Sequence, residues 1–254
     1  MRRSSLLAPA LLAVMIPASP SVAQPTCSFA AGVVTATLTG GSARIYVDGN
    51  EAIVLDAGGD LLGCAGANNT NTASIVVTGS SGRDTLTIGV RGLPPFDPAI
   101  AFQVDLGGSR RDQLDLPGST GDDRIAFGRS GGAEVVDMDG DGAVDVTLAN
   151  VELGSASDGL GGDDVMTGSP GGGIRPTRLD LELSSANGRD RLTGGNGDDL
   201  LTSQGGRDRL RGGRGNDRLS GGAAPDRLDG GPGIDVCHGA GGRDRLRRCE
   251  RGDD

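Results

Sequence analysis

The chain has 254 residues and a formal net charge of −10, with 47 Gly, 12 Pro, four Phe, one Tyr and no Trp. So few rings exclude a core built on large aromatic side chains, and the negative balance excludes a general nucleic-acid binder, which needs a basic footprint. The acids are 29 Asp against 5 Glu and the 24 Lys-or-Arg positions are all Arg, a mix compatible with binding cations.

In chain order, residues 1–23 read as an export signal: the charged "MRR", the apolar "LLAPALLAVMI" and the small-residue "SVA", with cleavage after Ala23. The apolar run is too short and too interrupted by Pro to span a bilayer. The expected location is therefore extracellular, by the general export route or, given Arg2-Arg3, the twin-arginine route. The four cysteines, Cys27, Cys64, Cys237 and Cys249, allow three pairings. The local pairing Cys27–Cys64 and Cys237–Cys249 is expected, because each pair lies at one end of the mature chain. Zinc is disfavoured, since no two cysteines have CxxC spacing and there is one His.

Next come alternating runs that read as strands of period two: "ASIVVTG", "AIAFQVDL", "AEVVDMD", "AVDVTLANVEL" and "RLDLELS". "IYVDGNEAIVL" reads as a hairpin turning at Asp48-Gly49 or Gly49-Asn50. "LPPFDP", residues 93–98, is a loop and the best internal boundary. Between these runs a Gly/Asp signature recurs, placing Asp84 with Leu86, Asp112 with Leu114, Asp123 with Ile125 and Asp164 with Met166. Residues 24–184 are thus expected to form an irregular β region, continuous with the C-terminal residues 185–254 or, as the other reading, a separate small β-sandwich. No convincing helix follows the signal.

"DMDGDGAVD" puts Asp137, Asp139, Asp141 and Asp145 at positions 1, 3, 5 and 9 of an EF-hand-type loop, with Gly142 at position 6. It departs at position 12, where Leu148 stands for the bidentate Glu, and its flanks look like strands. Two readings stay open: an isolated calcium loop and a plain hairpin turn.

From residue 185 the chain becomes periodic. Asp190, Asp199, Asp208, Asp217, Asp226, Asp235 and Asp244 are nine residues apart, and two places after each comes Leu192, Leu201, Leu210, Leu219, Leu228, Cys237 or Leu246. "GGNGDDLLT", "GGRGNDRLS" and "GGPGIDVCH" are near-perfect units, while "GGAAPDRLD" carries Ala224 at a glycine position. Over residues 185–246 the chain resembles the hemolysin-type (repeats-in-toxin) calcium-binding nonapeptide family, G-G-x-G-x-D-x-U-x. The resemblance implies an all-β fold, a parallel β-roll in which six residues turn, three form a strand and two repeats make one coil. It implies Ca²⁺ between stacked turns, held by the seven aspartates, by turn carbonyls of Gly195, Gly197, Gly213, Gly215, Gly231 and Gly233, and by Asp164 upstream.

The physics of the residues agrees with a calcium cofactor. Ca²⁺ takes six to eight oxygens, glycines aim carbonyls inward at φ > 0, and strand spacing stacks like residues about 4.8 Å apart. Asp190, Asp208, Asp226 and Asp244 then share one edge, and Asp199, Asp217 and Asp235 the other. Uncompensated carboxylates about 5 Å apart repel by about 3 kcal/mol at an effective dielectric of 20. One inward apolar residue per repeat is thin burial for so many ordered residues. Metal-coupled folding is therefore expected, against a disordered Gly/Asp tail or a metal-free solenoid.

No G-x-S-x-G, HExxH or phosphate-loop motif is present. The lone His238 reads as a surface residue, and the pairs Asp122-Asp123, Asp163-Asp164 and Asp198-Asp199 belong to the repeat. The sequence is therefore read as non-enzymatic: a secreted calcium-binding protein of structural or adhesion type. The alternative is an extracellular hydrolase with its site upstream and the roll as a calcium-dependent stabiliser. From Ser185 onward there are 12 acidic and 13 basic residues, against 22 and 9 for residues 24–184. Calcium would make the repeats cationic, giving anionic cell-wall or extracellular polymers as candidate partners; on the other reading, Arg only balances Asp.

Overall fold

The computed structural model describes residues 24–48, 50, 52–57, 60–89, 99–157, 161–171 and 174–253. The export segment, Gly49 and the "LPPFDP" loop lie outside the described residues.

Each nonapeptide contributes one three-residue strand with a single inward side chain. In Arg191–Thr193, Leu200–Thr202, Arg209–Arg211, Arg218–Ser220, Arg227–Asp229 and Val236–His238 the central residue is buried between exposed or half-buried neighbours. Three residues are the shortest strand that can point one side chain inward and two outward. Successive strands alternate between two sheets, so one coil takes two repeats. The pairing is parallel and in register: Leu192 opposite Leu210, Leu228 and Leu246 in one sheet, and Leu201 opposite Leu219 and Cys237 in the other. The fold is the expected all-β parallel roll.

The two sheets do not stop where the nonapeptides begin. Among the described residues one sheet has 13 strands and the other 11. Val165–Thr167 joins Arg191–Thr193 to Arg124–Ser130 in the longer sheet. Asp180–Ser184 joins Leu200–Thr202 to Leu153–Ser157 in the shorter one. Most upstream strands are longer and bury two or three side chains, as Gly41–Val47, Ala52–Ala57 and Ala101–Gly107 do. Ile75, Phe102 and Val146 stack in one column, and Leu86 and Leu114 stack opposite. Phe127 is fully buried against Gly154, where an added Cβ would stand 2.8 Å from the ring.

Hairpins interrupt the coil upstream. Gly41–Val47 pairs antiparallel with Ala52–Ala57 as the sequence suggested, and Asp48 Oδ1 accepts the Asn50 and Ala52 N–H groups at its turn. The run "AVDVTLANVEL" was expected as one strand; it divides into Val146–Ala149 in the longer sheet and the start of Leu153–Ser157 in the shorter. Asn150 turns the chain between them at φ 52°. Cys27–Cys64 joins Thr26–Ala30 to Asp60–Asn68, the terminal strands of the two sheets, and Cys237–Cys249 ties the last coils together. Both disulfides fit an oxidising compartment, and each sits at an end of the stack, where unpaired strand edges need protection.

Candidate metal centre

The aspartate before each strand is turned under the chain, and its carboxylate binds the backbone of the preceding coil. Along the longer sheet's edge the N–H groups of Asp123, Asp164, Asp190, Asp208 and Asp226 donate to Oδ1 of Asp164, Asp190, Asp208, Asp226 and Asp244, at 2.8–3.0 Å. Along the shorter sheet's edge Asp199 donates to Asp217 and Asp217 to Asp235, both at 2.9 Å, and Asp235 donates to Glu250 Oε2. The seven repeat aspartates therefore fall into the two columns expected of them, and Asp164 continues the first.

The same wiring runs through turns far upstream. Asp84 donates to Asp112 Oδ1 at 2.8 Å, and Asp112 to Glu152 Oε2 at 3.0 Å. Four residues before the aspartate an N–H closes each of three turns onto Oδ2: Gly195 to Asp199, Ser80 to Asp84 and Ser119 to Asp123, at 2.7–2.8 Å. A second ladder lies one residue earlier and runs the opposite way. Asp180 Oδ1 accepts from Asp198, Asp198 from Asn216, and Asn216 from Ile234, at 2.8–3.0 Å.

These columns bring like charges together out of water. Asp199, Asp208, Asp217, Asp226 and Asp235 are 0–2 % exposed, as are Asp84 and Asp112. Burial pushes the Asp199 carboxyl up to about 8 and those of Asp217 and Asp226 to about 6. The neighbouring carboxylates add to each rise, and burial also raises Asp208 and Asp235. Backbone N–H groups engage both oxygens of Asp199, from Leu181 and Gly195, and one oxygen of each of Asp84, Asp112, Asp217, Asp226, Asp235 and Asp244. The Oδ2 atoms of Asp112, Asp217, Asp226, Asp235 and Asp244 and Oδ1 of Asp84 are buried with no hydrogen-bond partner. A buried carboxylate oxygen left so is costly.

The glycines make room for those oxygens. A Cβ on Gly212 would collide with Asp217 Oδ2 and the Gly230 carbonyl, and one on Gly230 with Asp235 Oδ2 and the Arg248 carbonyl. Gly213 and Gly231 sit at φ +122° and +114°, where L side chains are strained. Gly215 and Gly233 are also at positive φ, each stacked on the glycine carbonyl of the coil before. Gly195 and Gly197 depart from the expectation that all six glycines need φ > 0. Neither has it, and their constraint is space, against Thr177 and against the Leu179 carbonyl with Asp180 Oδ1. Buried carboxylates with orphaned oxygens, turn carbonyls stacked beside them and no nitrogen or sulfur donor make a set that fits a hard cation, and Ca²⁺ above others.

The "DMDGDGAVD" segment joins the antiparallel strands Ala133–Asp137 and Val146–Ala149. One ligand oxygen each of Asp137, Asp139 and Asp145 lies within 4.8 Å of the others. Asp141, expected beside these three, is outside the group, and its Oδ1 accepts the Ala143 N–H at 2.6 Å. Asp137 Oδ1 and Oδ2 accept the Gly140 and Gly142 N–H groups, so the loop is a hairpin turn wrapped around one carboxylate.

The upstream β region carries an open groove of about 410 Å³ on the outer face of the shorter sheet, with Arg44, Asp115 and Glu182 in its lining. Burial raises the Asp115 carboxyl, against a 2.6 Å hydrogen bond from Gln113. Asp115 and Glu182 stand in register either side of Ser155. Two strand spacings part them by about 9.6 Å, at the outer limit of about 6.5–9.5 Å for a water-activating carboxyl pair. His238 ends an outer strand and is exposed.

Sequence reasoning passed over Asp180, Asp198, Glu152 and Glu250. The position before Asp199 would have given Asp198, and a step of one 18-residue coil back from it Asp180. Glu250 follows Asp235 by 15 residues where the coil takes 18, so no register could have found it. Residues 184–219 and 211–246 match the family model of the RTX calcium-binding nonapeptide repeat, in four copies. The C-terminal coils are calcium-binding repeats of that type. No curated protein and no solved structure matches the chain.

Proposed function

We propose that this is a secreted, non-enzymatic calcium-binding protein of structural or adhesion type, whose coils are set by Ca²⁺ held between the aspartate columns. The observation that carries the reading is the buried line of carboxylates with orphaned oxygens. Asp190, Asp208, Asp226 and Asp244 would hold ions along one edge, and Asp199, Asp217 and Asp235 along the other. When bound, calcium supplies positive charge that removes the repulsion and desolvation cost of the columns. The chain's own part is to present oxygens at coil spacing, to keep side chains out of the turns with glycine, and to bury one apolar residue per strand behind each site. The two disulfides and the export-like N-terminus support an extracellular setting.

The test is a calcium titration of chelator-treated protein, followed together by far-UV circular dichroism and calorimetry, with magnesium as the control. A gain of β signal with several ions bound is the expected result. A protein already fully folded in chelator and indifferent to calcium would overturn the reading.

A further inference from the structure

Four of the repeat arginines form a row along the longer sheet. Parallel pairing places Arg191, Arg209, Arg227 and Arg245 opposite one another on four consecutive strands of the longer sheet. All four point outward, because the leucine after each points in. Two residues earlier, Arg189, Arg207 and Arg243 stand exposed on the adjoining turns. Six of the seven line a groove of about 530 Å³, completed by Pro225, Asp208 and Asp226, and Arg191 continues the row beyond it. The two acids are 1 % exposed, so the surface of the groove is cationic.

Such a row is not explained by balancing the aspartates. Ion pairs among the described residues join Arg129 to Glu134 and Arg248 to Asp229, and none engages any of the seven. Like charges held at a strand spacing of about 4.8 Å repel. The buried aspartates behind them are the proposed calcium ligands, and bound calcium would add positive charge at the same edge.

We propose that this groove is a binding site for a linear, carboxylate-bearing polysaccharide lying along the roll axis, a reading that rests on the calcium-set roll above. Guanidinium groups pair with carboxylates through two parallel hydrogen bonds, and a row at one-coil spacing offers successive charges on one strand successive partners. Nucleic acid fits less well. The groove has no aromatic side chain on which a base could stack, and residues 24–184 carry 22 acids against 9 bases, which repels a bulky polyanion. A membrane fits less well too, since the groove lining has no large apolar side chain to insert.

The probe is hyaluronate, which carries regularly spaced carboxylates, assayed by calorimetry against full-length protein in calcium. Neutral dextran and single-stranded DNA are the comparison arms. The variant replaces Arg191, Arg209, Arg227 and Arg245 by Gln, with the Arg→Lys set as its partner. The result expected is salt-sensitive binding to hyaluronate and none to dextran, weakened roughly tenfold to a hundredfold by the four Gln replacements and partly retained by the Lys set. The calcium-induced β signal of the variants should be unchanged, which separates this proposal from the calcium reading. Equal hyaluronate binding by the Gln variant, no hyaluronate binding by the calcium-loaded protein, or tighter binding to DNA would each overturn the inference while leaving calcium-dependent folding in place.

Discussion

Asp217 stands in the middle of the shorter-sheet column, so changing it reads both halves of the metal argument. Its Oδ1 accepts the Asp199 N–H at 2.9 Å, and its own N–H donates to Asp235 Oδ1 at 2.9 Å. Its Oδ2 is buried and accepts nothing. Asp217→Asn keeps the acceptor and replaces only the orphaned, charged oxygen. Burial, reinforced by Asp235, Asp198 and Asp180, raises this carboxyl to about 6. Near neutral pH it is ionised folded or unfolded, so the folded state carries the full cost. At full weight that is about 3 kcal/mol, and screening by the solvent that surrounds so thin a roll reduces it to about 1–2 kcal/mol. Without metal, the Asn variant should therefore be more stable than the parent by that amount. With calcium the sign reverses. Asp217 neighbours both Asp199 and Asp235, so it serves two inter-coil sites, and each site saturated a hundredfold above its dissociation constant contributes about 2.7 kcal/mol. The net loss is about 3–4 kcal/mol. Urea unfolding followed by circular dichroism, in chelator and in calcium, measures both. A change of the same sign and size in the two conditions would refute the idea that this column exists for a cation.

In chelator, stability should fall as pH rises. The unfolded carboxylates titrate near 4, while folded Asp217 and Asp226 do so at about 6 and Asp199 at about 8. The folded state thus holds extra protons between those values: its advantage is complete below about pH 4 and is lost by about pH 8. Urea midpoints across that range check this, and calcium should flatten or reverse the trend. Ala224 sits at φ +85°, a conformation that costs an L residue about 1–2 kcal/mol. After allowing about 0.4–1 kcal/mol for the freer unfolded chain of glycine, Ala224→Gly should stabilise the roll by about 0.5–1 kcal/mol, read as a higher urea midpoint. Replacing Cys237 and Cys249 together by Ala opens a 12-residue link and should cost about 3 kcal/mol, seen first as loss of the C-terminal β signal. Asp84→Asn with Asp112→Asn should lower the calorimetric calcium count without altering ions bound by residues 185–246; an unchanged count would mean that the upstream column binds none.

The C-terminal coils were legible because one unit repeats without insertion. Nine residues fix strand, turn, inward leucine and aspartate at once, and with the two-repeat coil that the family resemblance implies, both columns could be placed on their edges. Upstream the same turn chemistry persists but the period is broken, because hairpins such as that between Ala133–Asp137 and Val146–Ala149 intervene. Asp84 and Asp112 could be seen as members of the pattern, yet their stacking on each other depends on a 28-residue excursion that no fixed period predicts. The departure of Asp141 from the loop cluster has a different origin. Position within an EF-hand loop presumes flanking helices, and between two strands the loop folds back so that Asp145 Oδ2 accepts the Met138 N–H at 2.6 Å, carrying its carboxylate to Asp137.

The two halves bury very different amounts behind the same turns. Upstream strands such as Ala101–Gly107 and Ala52–Ala57 point three side chains inward, and Phe102, Phe127, Ile45, Ile53 and Ile75 are fully buried there. Each C-terminal nonapeptide buries one, and in the last complete repeats these are Leu228, Cys237 and a half-buried Leu246. Apolar burial scales with the area removed from water, whereas the cost of ordering backbone scales with residue number. Burial per ordered residue therefore falls along the chain, while the regularity of the carboxylate columns rises. This gradient assigns calcium its largest contribution to stability in the final coils. It also predicts that the upstream half, tied at its far end by Cys27–Cys64, keeps its fold more firmly than the nonapeptides when calcium is removed. Val165–Thr167 and Asp180–Ser184 carry the parallel pairing from that half into the nonapeptides, one in each sheet. Coils ordering outward from that firmer end would take their register from it, so near-identical repeats would not slip by one unit.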